Sequence, residues 1–85
     1  MKQRGSVSAI TDSNALYCEI GSRVTVARLK AGLSQLELSE CVGLTPTSIC
    51  NLELGRQRTP IDTLIAIAEW CDVSVHDLIP ERIPR

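Results

Sequence analysis

Apolar residues recur along most of the chain at the spacing of an amphipathic helix. In the first long segment they are three or four positions apart, which places them on one helical face. The residues on this face are Leu16, Ile20, Val24, Ala27 and Ala31. Ser13 can cap the start of this helix. Gly32 ends it, because glycine readily takes the left-handed conformation found just after a helix C-terminus.

Capping signals divide the next twenty or so residues into two short helices. Ser34, with Glu37 three positions later, forms a capping box that opens a second helix, and Gly43 ends this helix. Thr45 caps a third helix, which Gly55 ends. The apolar side chains that we expect to hold these two helices at a fixed angle are Leu36, Ile49 and Leu52.

Two further helices complete the predicted fold. Pro60 starts a strongly apolar fourth helix, and Ser74 caps a short fifth one. The apolar residues of the fourth helix are Leu64, Ile65, Ile67, Ala68 and Cys71. The pattern therefore predicts a compact all-α domain of five helices over residues 13–79. It also predicts a flexible N-terminal arm over residues 1–12 and an irregular tail over residues 80–85.

Composition narrows the classes of function. The chain of 85 residues contains no phosphate-binding loop and no recognisable nucleophile–base pair, and it is too short to build a deep pocket, so we do not expect an enzyme. We expect no cofactor and no small-molecule ligand. No segment is apolar enough for a membrane span, and the first residues do not form a secretory signal, so the expected location is the cytoplasm, in association with the nucleoid.

The cysteines show no metal-binding pattern. Zinc sites usually contain a closely spaced pair of ligands, and neither a CxxC nor a CxxH spacing occurs here. We therefore expect no metal, and we expect the thiols to be free and buried as small core residues. The four cysteines are Cys18, Cys41, Cys50 and Cys71.

The distribution of charge matters more than its total. The formal net charge is −1, which taken alone argues against binding to nucleic acid. Residues 20–58, however, carry five basic and three acidic side chains, whereas residues 59–81 carry five acidic side chains and no lysine or arginine. One domain can therefore present two faces of opposite sign, and the basic one can meet phosphates.

Residues 34–55 carry the most specific pattern. Two short capped helices, joined by a turn with a glycine at position 43, form a helix-turn-helix arrangement. Over residues 20–79 the chain resembles the lambda-repressor-like helix-turn-helix family of the Cro/C1/Xre type. The matching segments are residues 20–24 (IGSRV), 32–35 (GLSQ), 43–46 (GLTP), 48–49 (SI), 52–56 (LELGR), 63–64 (TL), 67–68 (IA), and 73–74 (VS) before Leu78.

This resemblance implies a recognition helix over residues 45–54 that enters the major groove. The residues that it implies to contact DNA are Gln35, Thr45, Thr47, Ser48, Asn51, Arg56, Arg58 and Arg23. An asparagine can form a bidentate pair with adenine, whereas arginines in a loop position the protein on phosphates. Each residue also has a plainer interpretation: Thr47 and Ser48 could only cap the helix, Gln35 and Asn51 could be ordinary helix residues, and the arginines could form a solvated turn.

Three further residues receive roles. The resemblance implies that Glu53 pairs with Arg28 in a structural salt bridge. Trp70, the largest side chain, is our candidate for a dimer interface, since tryptophan is enriched at interface anchors.

The sequence thus predicts a homodimer that binds a palindromic site in double-stranded DNA and regulates transcription, most simply as a repressor. The alternative is an antitoxin-like or adaptor module that uses the same fold to bind a protein partner.

Overall fold

The computed structural model describes residues 13–83, which form an all-helical domain. Its elements are α1 (Ser13–Lys30), α2 (Gln35–Val42), α3 (Pro46–Glu53), α4 (Ile61–Cys71) and a 3-10 helix (Val75–Asp77). The all-α prediction is confirmed, but the count of five helices is slightly off, because the last element is one 3-10 turn. The arm predicted over residues 1–12 and the last two residues of the predicted tail lie outside the described residues.

Local sequence explains why the fifth element stays short. The Ser74 hydroxyl accepts a hydrogen bond from the His76 backbone, and the Asp77 carboxylate accepts one from the Ser74 backbone. The Leu78 N–H donates to the Val75 carbonyl three residues back, as in a 3-10 turn. Pro80 follows two residues later, and a proline disfavours helical geometry in the residue before it.

The apolar stripe of α1 packs against α3 and α4, except at its last predicted residue. Ile20, Val24 and Ala27 are buried, whereas Ala31 lies beyond the helix and is exposed. The fully buried side chains that complete the centre of the core are Leu38, Ile49, Leu52, Ile67 and Leu78. The core therefore lies where α1, α2, α3 and α4 converge.

Two apolar residues expected inside are exposed. Leu36 is 54% exposed, and Leu38 takes the buried position instead. Residues two apart on a helix point about 200° apart, so only one of these leucines can face the core. Ile65 of α4 is exposed for the same reason, since Leu64, Ile67 and Ala68 occupy the inner face.

The prediction of four buried thiols is wrong for three of them. All four cysteines are free, but only Cys71 is buried, Cys41 and Cys50 are half-buried, and Cys18 is exposed. Cys18 lies two residues after Leu16 of the apolar stripe, so it points away from the core. Burial raises the pKa of the Cys71 thiol, which keeps it in its neutral form.

Candidate nucleic-acid interface

The first turn of α3 is held by a pair of hydroxyl groups. Thr45 is the N-cap; its side-chain oxygen accepts a hydrogen bond from the Ser48 N–H at 3.1 Å and donates one to the Ser48 hydroxyl at 3.0 Å. The capping interpretation therefore applies to Ser48, whereas the Thr47 side chain makes no capping bond within the described residues. Both side chains remain at the surface, Thr45 fully and Ser48 in part, so the cap leaves them within reach of a ligand.

The outward face of α3 carries short, uncharged side chains. Ile49 and Leu52 are buried on the inner face, and Thr47 and Asn51 lie on the opposite side. Within the described residues, neither Thr47 nor Asn51 uses its side chain in a hydrogen bond. Their polar groups are thus available to an external partner.

Cys50 is a member of this face that was not predicted from the sequence. Cys50 is half-buried and lies between the inner residue Ile49 and the outer residue Asn51. It follows Thr47 by three positions, which places the two on neighbouring positions of the helix surface. The helical period alone contained this signal, but our expectation that all thiols are buried concealed it.

The segment after α3 folds back onto that helix. The Arg56 N–H donates to the Asn51 carbonyl at 2.9 Å, and the Gln57 side-chain amide donates to the Ser48 carbonyl at 3.3 Å. Gly55 has a φ of 74° and lies so close to α1 that a β-carbon there would be 2.6 Å from the Cys18 α-carbon. This backbone contact fixes the basic segment, residues 56–58, beside both α1 and α3.

Both arginines of the basic segment are exposed, and Arg58 reaches α1. Its guanidinium lies over the Tyr17 ring, 5.6 Å from the ring centroid, and donates a hydrogen bond of 3.4 Å to the Ser13 hydroxyl. A concavity of about 120 Å³ lies between the start of α1 and residues 55–58. Arg56 and Arg58 both line this concavity.

A buried ion pair joins α1 to the end of α3. The Arg28 Nε donates to Glu53 Oε2 at 2.6 Å and its Nη2 donates to Oε1 at 3.2 Å, so the contact is bidentate. The side chains are only 10% and 5% exposed. Arg28 also donates through Nη1 to the Leu33 carbonyl at 2.9 Å. The pair therefore connects α1, the turn before α2 and α3.

Gln35 belongs to the same network. Its side-chain amide nitrogen donates to Glu53 Oε1 at 2.9 Å, which commits one of its two N–H groups. The side chain is half-buried at the start of α2. The second N–H can still donate outward, so an internal bond and an external contact are compatible at this residue.

Ser34 and Glu37 complete the start of α2. The Ser34 N–H donates to the Glu37 carboxylate at 2.8 Å, and the Glu37 N–H donates to the Ser34 hydroxyl at 3.0 Å. The Ser34 backbone N–H above all, and after it the Ser34 side chain, hold the pKa of the Glu37 carboxyl below its ordinary value, because hydrogen bonds to the carboxylate favour its charged form. The predicted capping box is confirmed.

Arg23 makes different contacts from those expected of a DNA-binding residue. Its Nε pairs with Glu19 one turn earlier at 2.9 Å, and its Nη1 donates to the Asp77 carbonyl at 3.5 Å. These partners belong to α1 and the 3-10 helix, not to the helix-turn-helix. The structure therefore does not bring Arg23 together with Thr47 and Asn51, because this face of α1 packs against the C-terminal part of the domain.

Trp70 occupies the last turn of α4. Its side chain is 56% exposed, while Ile67 and Cys71 on either side are buried. Ile61 and Ile65 of the same helix are also exposed large apolar residues. Trp70 is thus not a core residue, and the exposed side of α4 has apolar character at both of its ends.

Comparison with known proteins agrees with this arrangement. The sequence profile of the helix-turn-helix family HTH_3 matches residues 26–78. No functionally curated protein matches the chain in sequence. The chain belongs to the helix-turn-helix family HTH_3, a class of DNA-binding transcriptional regulators.

Several solved structures share the fold. The clp gene regulator ClgR from Corynebacterium glutamicum is 25% identical, with a TM-score of 0.72 over 74% of this chain and 67% of that chain. The biofilm master regulator SinR, solved in complex with DNA, is 35% identical, with a TM-score of 0.64 over 69% of this chain and 95% of that chain. The restriction-modification controller protein C.AhdI from Aeromonas hydrophila is 24% identical, with a TM-score of 0.70 over 74% of this chain and 96% of that chain.

Within residues 13–83, no helix is both long and apolar enough to span a bilayer.

Proposed function

We propose that this protein binds a palindromic site in double-stranded DNA as a homodimer and represses transcription. The observation that carries the proposal is the outward face of α3. Thr47 and Asn51 present side chains that make no hydrogen bond inside the described part of the chain, and the inner face of the same helix is fully packed. A rigid helix with unoccupied polar groups is suited to reading base edges in the major groove.

The proposal assigns DNA contacts to residues on or beside the outward face of α3. Asn51 can pair with adenine through N6 and N7, and Thr47 can contact a thymine methyl or a base. Thr45, Ser48 and the second amide N–H of Gln35 are suited to contacts at the edge of the groove. Arg56 and Arg58 contribute affinity through phosphates without reading sequence.

The absence of lysine and arginine from α3 supports the dimeric part of the proposal. One such helix offers little affinity, and a two-fold dimer presents two of them to half-sites about 34 Å apart, one turn of DNA. Trp70 is the proposed anchor, since an exposed tryptophan beside buried neighbours is typical of an interface residue.

The proposal is tested by selecting binding sites from a randomised duplex library at about 100–150 mM salt. The expected result is a two-fold-symmetric motif that is lost when Thr47 and Asn51 are both changed to alanine. A folded protein that enriches no sequence would overturn the proposal. It would favour the alternative of a protein-binding module, which a pull-down would then examine.

The dimer is tested separately by sedimentation of Trp70→Ala. The expected result is a rise in the dimer dissociation constant of about 30-fold, which corresponds to an interface anchor of about 2 kcal/mol. The melting temperature of the monomer should change little, because the side chain is already 56% exposed. An unchanged dimer would exclude Trp70 from the interface.

Reporter assays with the selected site would decide between repression and activation of transcription.

A further inference from the structure

The contact between Arg58 and the start of α1 is not explained by the helix-turn-helix itself. The guanidinium lies 5.6 Å from the centroid of the Tyr17 ring, within the range of a cation–π interaction. Its Nη2 also donates to the Ser13 hydroxyl at 3.4 Å, across 45 positions of sequence. Two residues of α1 thus hold a side chain that would otherwise sample many rotamers.

The surroundings of Arg58 favour an anion. Arg56 lines the same concavity of about 120 Å³, and the described residues around it include two guanidinium groups and no carboxylate. The Arg56 backbone is held by its bond to the Asn51 carbonyl, so the chain that carries this guanidinium has a fixed position relative to α3. The concavity has room for several waters, or for one phosphate group with part of its hydration.

Tyr17 has a particular effect on this arrangement. An exposed arginine loses rotamer freedom when it binds a ligand, and this loss weakens binding. Stacking on an aromatic face removes part of that cost before binding and leaves the edge N–H groups of the guanidinium free to donate. A leucine in place of Tyr17 would fill similar space but would offer no such face.

We propose that Tyr17 is a positioning residue, which holds Arg58 so that Arg58 and Arg56 together bind one backbone phosphate of the duplex in this concavity. The proposal rests on the proposed function and adds to it a contact between α1 and the DNA-binding loop. Tyr17 itself does not read the sequence or touch a base. It supports a phosphate contact that every duplex offers, and so contributes both to the affinity and to the steepness with which affinity falls with salt.

The test measures affinity for the selected duplex between about 50 and 300 mM salt. Arg58→Gln is expected to lower the salt slope by about one per bound protomer and to weaken binding about fivefold at 0.15 M, as for the loss of one phosphate contact. Tyr17→Leu is expected to move both quantities in the same direction by a smaller amount. Tyr17→Phe keeps the ring and should match the wild type, as should Lys30→Gln, which removes an exposed charge from the other end of α1.

A double-mutant cycle separates positioning from a structural role. If Tyr17 acts through Arg58, Tyr17→Leu has no further effect on affinity or slope in the Arg58→Gln background. If Tyr17→Leu weakens binding equally in both backgrounds, or lowers affinity without changing the slope, the inference is wrong while the proposed function stands. A wild-type protein that binds no duplex would overturn the proposed function, and this inference with it.

Discussion

The two sides of α3 are held in different ways. On the inner side, Ile49 and Leu52 are fully packed, and Glu53 accepts hydrogen bonds from both Arg28 and Gln35. On the outer side, the side chains of Thr47 and Asn51 have no hydrogen-bond partner in the described domain. The inner residues of this eight-residue helix therefore fix where the helix lies, and its outer residues are the ones to which the proposed function assigns recognition.

Backbone contact adds to the rigidity of the inner side. Gly21 of α1 lies directly against the carbonyl oxygens of Leu52 and Glu53, and a β-carbon at position 21 would overlap them. Gly55, just after α3, is equally close to Cys18 of α1. The last turn of α3 is thus clamped to α1 at two points. Changes on the inner side should act on folding, and changes on the outer side should act on binding.

The largest expected effect comes from breaking the ion pair. Arg28→Met leaves the Glu53 carboxylate buried without its cation, and we expect unfolding free energy to fall by about 3–5 kcal/mol. Urea denaturation followed by circular dichroism measures this. Arg28→Met combined with Glu53→Met should recover a large part of the loss, since no charge is then buried alone. A loss below about 1 kcal/mol for the single variant would contradict a structural role for the pair.

The next effect tests the close approach of α1 and α3. Gly21→Ala would normally favour a helix by about 1 kcal/mol, but here we expect a net loss of about 2–3 kcal/mol, because the new methyl group overlaps backbone. Gly32→Ala is the matched control: that glycine has a φ of 75° and open space around it, so it should lose only about 1 kcal/mol. Thermal melts of both variants give the comparison. Equal losses of stability in the two variants would mean that α1 and α3 do not approach each other this closely.

A change on the outer side should have the reverse pattern. Asn51→Ala is expected to reduce discrimination between the selected duplex and one altered at the contacted base by about 1–3 kcal/mol, or about 5- to 150-fold. Its unfolding free energy should stay within about 0.5 kcal/mol of the wild type. Competition binding with the two duplexes measures the first quantity. Ser22→Ala, exposed on α1, serves as the control and should change neither one.

The smallest effect concerns the cap of α2. The Ser34 N–H favours the charged form of Glu37, so the pKa of this carboxyl is lower in the folded protein than in the unfolded chain. The resulting contribution to stability is fully present above the pKa of the unfolded chain, and it is lost as the pH falls through the pKa of the folded protein. Glu37→Gln should therefore flatten the decline of the melting temperature below about pH 4.5. Glu40→Gln, an exposed acid of the same helix, is the control. Identical pH profiles of the melting temperature for wild type and Glu37→Gln would contradict this connection between the Glu37 pKa and stability.

Local patterns predicted the elements well. The capping residues Ser34 and Thr45 were correct because their partners lie three residues away. The stripe of α1 was correct as far as Ala27 because the helical period is fixed by backbone geometry. One kind of error arose where two apolar residues competed for one face: at Leu36 the period allowed an inner position, but Leu38 fills the core.

The candidate site was less predictable, because it depends on contacts between distant segments. The Arg28–Glu53 pair, 25 positions apart, was available only through resemblance to a family. The resemblance implies a DNA-binding role for Arg23, whereas its contact with the Asp77 carbonyl follows only from the position of α1 beside the 3-10 helix. The contact of Tyr17 with Arg58 had no local signal at all, since neither residue lies in a pattern that involves the other.

The close backbone contacts at Gly21 and Gly55 also affect how the sequence of such a protein can change during evolution. Because the helix is held by backbone contacts and buried side chains, the outer positions 47 and 51 can be exchanged together without repacking the interior. Under the proposed function, grafting the corresponding pair of another regulator onto this fold should transfer that regulator's site preference in one step. New specificities would then arise by a few surface substitutions on an inherited frame.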